Sequence, residues 1–299
     1  DVAVTGVQTC ALPILLQVWY PITVGTLSRE IKKVLVEYLK KTTSLDSEGL
    51  KDQVSFMLHD FGYRGVSSVE SAGIGGSAHI VNFLGTDTIA AIETAQEYYN
   101  TDNILAFSIP ASEHSTITSW GQENEVKAFE NMLDSYPTGL VACVSDSFDI
   151  LNACDNLWGT QLKDKIINRD GRLVIRPDSG NPVDIICGLN TNPNPCKSIK
   201  GLDTESEIKG VIELLWDIFG GTINEQGYKV LDPHIGAIYG DSITPERQVQ
   251  IYERLAAKGF AATNIVLGVG SYTYEYITRD TLGFAAKGAW FEVKSNDTN

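Results

Sequence analysis

LVIRPDSG (Leu173–Gly180) is an apolar, β-branched run that ends in a cluster of Pro, Asp, Ser and Gly. A short run of this kind reads as a buried strand opening into a loop. The same pattern returns in SFMLHDFG (Ser55–Gly62), IVNFLGTD (Ile80–Asp87), ILAFSIPASEH (Ile104–His114), LVACVSDS (Leu140–Ser147), IGAIYGDS (Ile235–Ser242) and NIVLGVGS (Asn264–Ser271). Periodicity alone does not separate IVNF from the end of a helix. Helical patterns commonly follow the clusters. Ile31, Val34, Leu35, Tyr38 and Leu39 share one helical face, with Ser28 expected as its N-cap. Ser67 and Glu70 have capping-box spacing ahead of the small residues Ala72, Gly73 and Gly76. Thr244-Pro245-Glu246 places proline at a first helical position.

Alternating strands and helices predict an α/β fold with a parallel sheet under helices. With every cluster at a strand's carboxyl end, all clusters face one side, as at the mouth of a β/α barrel. A doubly wound open sheet would gather its ligand groups at a single switch point instead. Seven clusters favour the barrel. Residues 15–299 read as one domain, with Cys187–Thr204 as an Asn-, Pro- and Gly-rich surface loop. Residues 1–14 are expected to be a non-native leader: Val4–Ile14 resembles a translated adapter, the alternative being an ordinary apolar strand. The chain reads as a fragment at both ends.

A net charge of −15 argues against a surface that tracks nucleic-acid phosphates. No apolar run is long enough to span a bilayer. Five cysteines (Cys10, Cys143, Cys154, Cys187 and Cys196) show no CxxC spacing. They fit a reducing compartment, and the expected location is the cytoplasm. A metal-dependent hydrolase is disfavoured because no histidine pair has ligand spacing. The barrel mouth is expected to carry Asp60, Phe61, Arg64, Asp87, His114, Asp146, Arg176, Asp178, Asp241, Arg279 and Lys287. Cations neutralise phosphates, carboxylates take ribose hydroxyls or a phosphate-bound metal, and a ring offers a stacking face. No GxxxxGK[ST] loop occurs, so a nucleotide would be held differently. Each signal alone is weak, since an Asp after a strand is commonly a helix cap.

Together the motifs are distinctive. HDFGYRGVSS (His59–Ser68), GIGGSAH (Gly73–His79), GTDT (Gly85–Thr88), EHSTIT (Glu113–Thr118), VSDSFDI (Val144–Ile150), IRPDSGNP (Ile175–Pro182), YGDS (Tyr239–Ser242) and ITRD (Ile277–Asp280) resemble, in order and spacing, the nicotinamide phosphoribosyltransferase family. The resemblance runs from about Leu15 to Lys287. It implies a type II phosphoribosyltransferase barrel, a homodimer with shared active sites, and transfer of phosphoribose from 5-phosphoribosyl-1-pyrophosphate to nicotinamide. Mg²⁺ and ATP are the implied cofactor and co-substrate.

The resemblance makes His114 the group that takes a phosphoryl from ATP, with Asp146 as the carboxylate fixing its tautomer and Glu113 as a second candidate. Phe61 would stack on the pyridine. Asp87 would accept from the carboxamide; otherwise it is the N-cap of the following helix. Ser108 is implied as a further substrate-binding residue. Arg64 and Arg176 would face phosphate and ribose, Asp178 the ribose hydroxyls, and Gly240, Asp241 and Gly270 the phosphate loops. Arg279 and Lys287 would face pyrophosphate and the ATP phosphates. Ser271 and Tyr272 stand where the family has glycines, and Ala285 where serine is usual. A nicotinate phosphoribosyltransferase and a non-catalytic nucleotide-binding homologue are the alternatives.

Overall fold

The computed structural model describes residues 2–189 and 205–275, with side chains from residue 18 onward. Six of the runs meet in one parallel sheet. Its strands are β1 (Leu58–Asp60), β2 (Gly85–Thr86), β3 (Thr138–Val144), β4 (Asp170–Arg176), β7 (Ile235–Tyr239) and β8 (Ile265–Val269). Their order is β2-β1-β8-β7-β4-β3, while β5 (Gly221–Ile223) and β6 (Lys229–Leu231) form a separate antiparallel pair. IVNF is not a strand. The helix α3 (Val69–Ile80) runs up to it, and β2 is reduced to two residues.

The remaining run, ILAFSIPASEH, joins the sheet's two edges. Phe107 bridges Gly85 beside β1, and Ala111 bridges Ala142 on β3, both in parallel sense. Thr86 N donates to Phe107 O (2.9 Å) and Phe107 N to Leu84 O (2.7 Å). Ser112 N donates to Ala142 O (3.0 Å), and Ala142 N to Pro110 O (2.8 Å). Pro110 lacks an amide, but the seam uses only its carbonyl. Closure into a barrel pairs both edges of the six-stranded sheet.

Alternation along the strands divides the core in two. Ala142, Val174 and Ile238 face inward, where Phe61, Ile109 and Val266 pack against them. Their neighbours Val141, Cys143, Leu173, Ile175, Ala237, Tyr239, Ile265 and Leu267 face outward into the main core under the helices. There the stacked pair Phe129–Trp158 lies with ring centroids 4.2 Å apart. Cys143, Cys154 and Cys187 are free and buried.

The longest helix, α1 (Val2–Thr42), passes through the segment set aside above and through Ser28. Ser28 is therefore not a cap. It is fully buried, and its hydroxyl pairs with His79 Nδ1 at 3.0 Å. Tyr20, Val24, Ser28, Ile31 and Leu35 continue one buried face at helical spacing. The cap of α3 is Ser68, one residue later than expected, accepting from Ser71 N. Thr244 does cap its helix, Pro245–Ala257, accepting from Arg247 N with proline following. No helix among the described residues is long and apolar enough to cross a membrane.

The seam predicts a contrast between two substitutions. Phe107→Pro removes the amide that bonds Leu84 and should cost about 3 kcal/mol or more. Phe107→Ala keeps that amide and trims a half-exposed ring, which should cost about 1 kcal/mol. Chemical denaturation of the two variants checks this, and equal costs would show that the seam carries no stability.

Candidate active site

Phe61 leaves the end of β1, its amide donating to Val269 O at 2.7 Å. Its ring occupies space that inward-facing side chains would need. A Cβ at Gly240 would lie 2.8 Å from Phe61 Cε2, and one at Gly268 only 2.2 Å away. Glycine at both positions is what admits the ring. His59 lies 4.7 Å from it, centroid to centroid, and the Arg176 guanidinium 5.5 Å away. Period two in β1 points His59 and Phe61 inward and Asp60 outward. Asp60 is thus not at the mouth. It is buried under the helices, accepting from Gly62 N (2.9 Å) and Thr86 Oγ1 (3.3 Å).

Asp87 follows β2 but does not cap the next helix, α4 (Ile89–Tyr99), whose N-cap is Thr88. Its Oδ1 accepts from His59 Nε2 (2.8 Å) and Ser108 Oγ (2.5 Å). Burial raises the pKa of Asp87, but the bonds from His59 and Ser108 outweigh it, and the carboxyl lies below its usual range. It is ionised at neutral pH. Its Oδ2 has no partner among the described residues. His59 escaped the sequence reading, although its alternation with Phe61 was the available signal.

Across the mouth, His114 opens the helix α5 (His114–Thr118), which Glu113 caps reciprocally with Thr116. His114 Nε2 donates to Asp146 Oδ1 at 3.0 Å, leaving Nδ1 without a partner among the described residues. Asp146 Oδ2 accepts from Asp178 N at 2.8 Å. The bond to Asp146 raises the His114 pKa against the effect of burial. Burial opposes ionisation of Asp146, but bonds from His114 and the Asp178 amide prevail and lower it. Glu113 is not the histidine's partner; it lies 3.6 Å from Arg176 Nη1. Arg176 is 6% exposed and reaches Asp178 at 3.3 Å. Burial nevertheless leaves the Asp178 carboxyl raised.

Sequence reasoning also missed Glu125, at the start of α6 (Glu125–Ser135). It is buried, with Oε1 unpartnered among the described residues. Burial, reinforced by Asp149 and Asp146, pushes it up to about 7. A glutamate in the first turn of an exposed-looking helix gave no signal of this.

Two recesses meet at Phe61, Asp87 and Arg176. One, about 440 Å³, is the largely apolar barrel interior, reaching Ile109, Val174 and Ile238. The other, about 370 Å³, is lined by Tyr63, Arg64, Glu113, Asp178 and Gly240. A larger recess of about 540 Å³, around Arg172 and Asn224, carries none of the expected site residues. Arg64 is exposed on the turn Gly62–Gly65. Gly270 packs on the Phe61 backbone, where a Cβ would lie 3.3 Å from Phe61 O. Ser271 is accommodated because residue 65 is glycine: a Cβ there would meet Ser271 Oγ at 1.7 Å. Asp241 follows β7 and acts electrostatically on Asp178. Arg279, Lys287, Ala285 and most of the Cys187–Thr204 loop lie outside the described residues.

A parallel barrel with an aromatic ring, paired His and Asp, and buried Arg at its carboxyl-end mouth belongs to the α/β barrel class, whose ligand sites lie at that face. Residues 56–296 match the model of the nicotinate phosphoribosyltransferase (NAPRTase) family, and the chain belongs to that family. It is similar to proteins named nicotinamide phosphoribosyltransferase. That of Xanthomonas campestris pv. campestris is 44% identical over 289 residues, covering 94% of this chain and 56% of the relative. That of Acinetobacter baylyi is 41% identical, covering 93% and 53%. That of Mycoplasma pneumoniae is 38% identical, covering 90% and 54%. The chain spans about half the length of these curated relatives.

Two titrations follow. Asp146→Asn should lower the His114 pKa below its ordinary value, because burial then acts without the carboxylate; NMR of the ring proton reads this. The raised His114 pKa means that the pair's stabilisation is complete below the unfolded value and is lost as pH rises through the folded one. For Glu125 the folded state holds the extra proton between the ordinary 4.5 and about 7. Stability should therefore fall as pH rises through that window and level off above it. Glu125→Gln should flatten this slope in melting curves, and an unaltered slope would show that Glu125 is not its source.

Proposed function

We propose that the full-length protein transfers phosphoribose from 5-phosphoribosyl-1-pyrophosphate to nicotinamide, with ATP hydrolysis coupled through phosphorylation of His114. The observation that carries the choice of base is Asp87. It is ionised, and its Oδ2, without a partner among the described residues, suits a carboxamide N–H₂ donor. Nicotinate would set a second negative charge against it, at a cost of several kcal/mol. The pyridine would lie against Phe61 in the apolar interior, with the sugar phosphate in the adjoining recess near Arg64, Arg176 and Asp178. The C1–O bond to pyrophosphate breaks as the pyridine nitrogen forms the new C1–N bond, and the arginines stabilise the departing charge.

His114 is set up as a nucleophile toward phosphorus. In the neutral ring Nε2–H is held by Asp146, which puts the lone pair on Nδ1; the raised pKa means that a proton must leave Nδ1 before attack. Attack there forms a P–N bond as the bond to ADP breaks. The phosphorylated ring places added charge beside the recess and disfavours reversal. No group of three His, Cys, Asp or Glu side chains among the described residues is placed to hold a metal. Mg²⁺ is typically held by one or two carboxylates together with substrate phosphates. When bound, Mg²⁺ supplies neutralisation of the leaving pyrophosphate. We further propose a cytoplasmic homodimer whose subunits share active sites.

The test is side-by-side assay of nicotinamide and nicotinate, with and without ATP, on the full-length protein. Wild type should favour nicotinamide. Asp87→Ser should raise relative use of nicotinate about tenfold, a gain of ~1.4 kcal/mol. His114→Ala should abolish ATP coupling while slow transfer persists. Unchanged base selectivity in the first variant, or equal loss of both activities in the second, contradicts the corresponding role. Ligand binding without turnover by wild type would identify a non-catalytic homologue.

A further inference from the structure

We infer that Ser242 and Arg247 are positioning residues that set the carboxylate of Asp241 to receive a ribose hydroxyl; this ligand rests on the phosphoribosyl chemistry proposed above. Ser242 stands at φ 54°. Among the described residues, Asn100 is the other non-glycine with positive φ, and it ends α4 as a left-handed cap, where asparagine is at home. Ser242 has no such excuse. In a loop at the end of β7, glycine would adopt the same turn without strain, so serine carries a cost that its hydroxyl must justify.

That hydroxyl donates to Asp241 Oδ2 at 2.7 Å. The bond fixes the carboxylate's rotation and leaves Oδ1 without a partner among the described residues. The backbone around it is held from both sides. The Arg247 guanidinium donates to the Ser242 carbonyl, and the Thr273 hydroxyl donates to the carbonyl of the fully buried Ile243. Arg247 is itself anchored, its amide on the Thr244 cap at 3.3 Å. A left-handed serine survives here because its neighbours over-determine it.

The loop faces the candidate site. Gly240 lines the smaller recess with Asp178. Tyr239 donates its hydroxyl to Gly180 O at 3.2 Å, tying β7 to the loop that carries Asp178. Asp178 lines this recess, and Asp241 directly follows its wall residue Gly240 and acts electrostatically on Asp178; carboxylates so placed suit a diol, whose adjacent hydroxyls each need an acceptor. The strain is then a preorganisation device: Asp241 is oriented before the sugar arrives.

Calorimetry with 5-phosphoribosyl-1-pyrophosphate on full-length protein tests this, run with Mg²⁺ and with chelator. Ser242→Gly should melt at or above the wild-type temperature and bind about tenfold more weakly, raising KM with kcat little changed. Ser242→Ala should bind equally weakly without the thermal gain. Arg247→Met should weaken binding in the same direction, with less than additive effect in the double variant. Ser242→Gly binding within twofold of wild type overturns the inference, and a deficit confined to the Mg²⁺ arm overturns the ribose assignment. Wild type that binds the sugar phosphate but transfers nothing to nicotinamide sinks the proposed activity alone, because the binding series still reads this inference. Wild type that does not bind it overturns both.

Discussion

The backbone of residues 107–112 holds the two sheet edges together, and the site depends on how it does so. Pairing of Phe107 beside β2 brings Ser108 onto Asp87; pairing of Ala111 with β3 brings His114 within reach of Asp146. One short segment therefore supplies both polar networks, one at each of its ends. Ser112 is buried between them and accepts from Val144 N at 2.9 Å, fastening the segment again at the top of β3. The polar chemistry is held by the same hydrogen bonds that complete the fold, which leaves it little freedom to drift.

The charges at the mouth are balanced locally rather than globally. In a chain of net charge −15, buried Arg176 sits among Asp178, Glu113 and the Phe61 ring. Its Nε has no partner in the protein among the described residues. A buried guanidinium with unused donor capacity costs free energy unless an acceptor completes it. Anionic ligand oxygens would do so. The carboxylates divide by environment: Asp87 and Asp146, which receive hydrogen bonds, are lowered, whereas buried Asp178 is raised.

Strands with strong β-branched runs, such as LVIRP and NIVLG, were legible because alternation and turn residues agreed. What failed was local geometry that tertiary packing decides. Ser28 looked like a cap, yet the helix continues through it because buried His79 offers its hydroxyl a partner. IVNF looked like a strand, but the helix before it ends there. Asp60 was read into the mouth with its neighbours, although period two turns it away and gives His59 that place. The Asp146–His114 pair was legible only through the family motif, since thirty-two residues separate them. Glu125 and the left-handed Ser242 depend on burial and backbone conformation, which no spacing rule reports.

The two-layered core has one more consequence. Outward-facing residues of the strands carry the packing against the helices, while the bore is lined by modest side chains such as Ala142, Val174 and Ile238. Widening or narrowing that bore by a methyl group or two leaves the outer layer untouched. The shape of the bore is thus set by side chains that the helix-packing layer does not share.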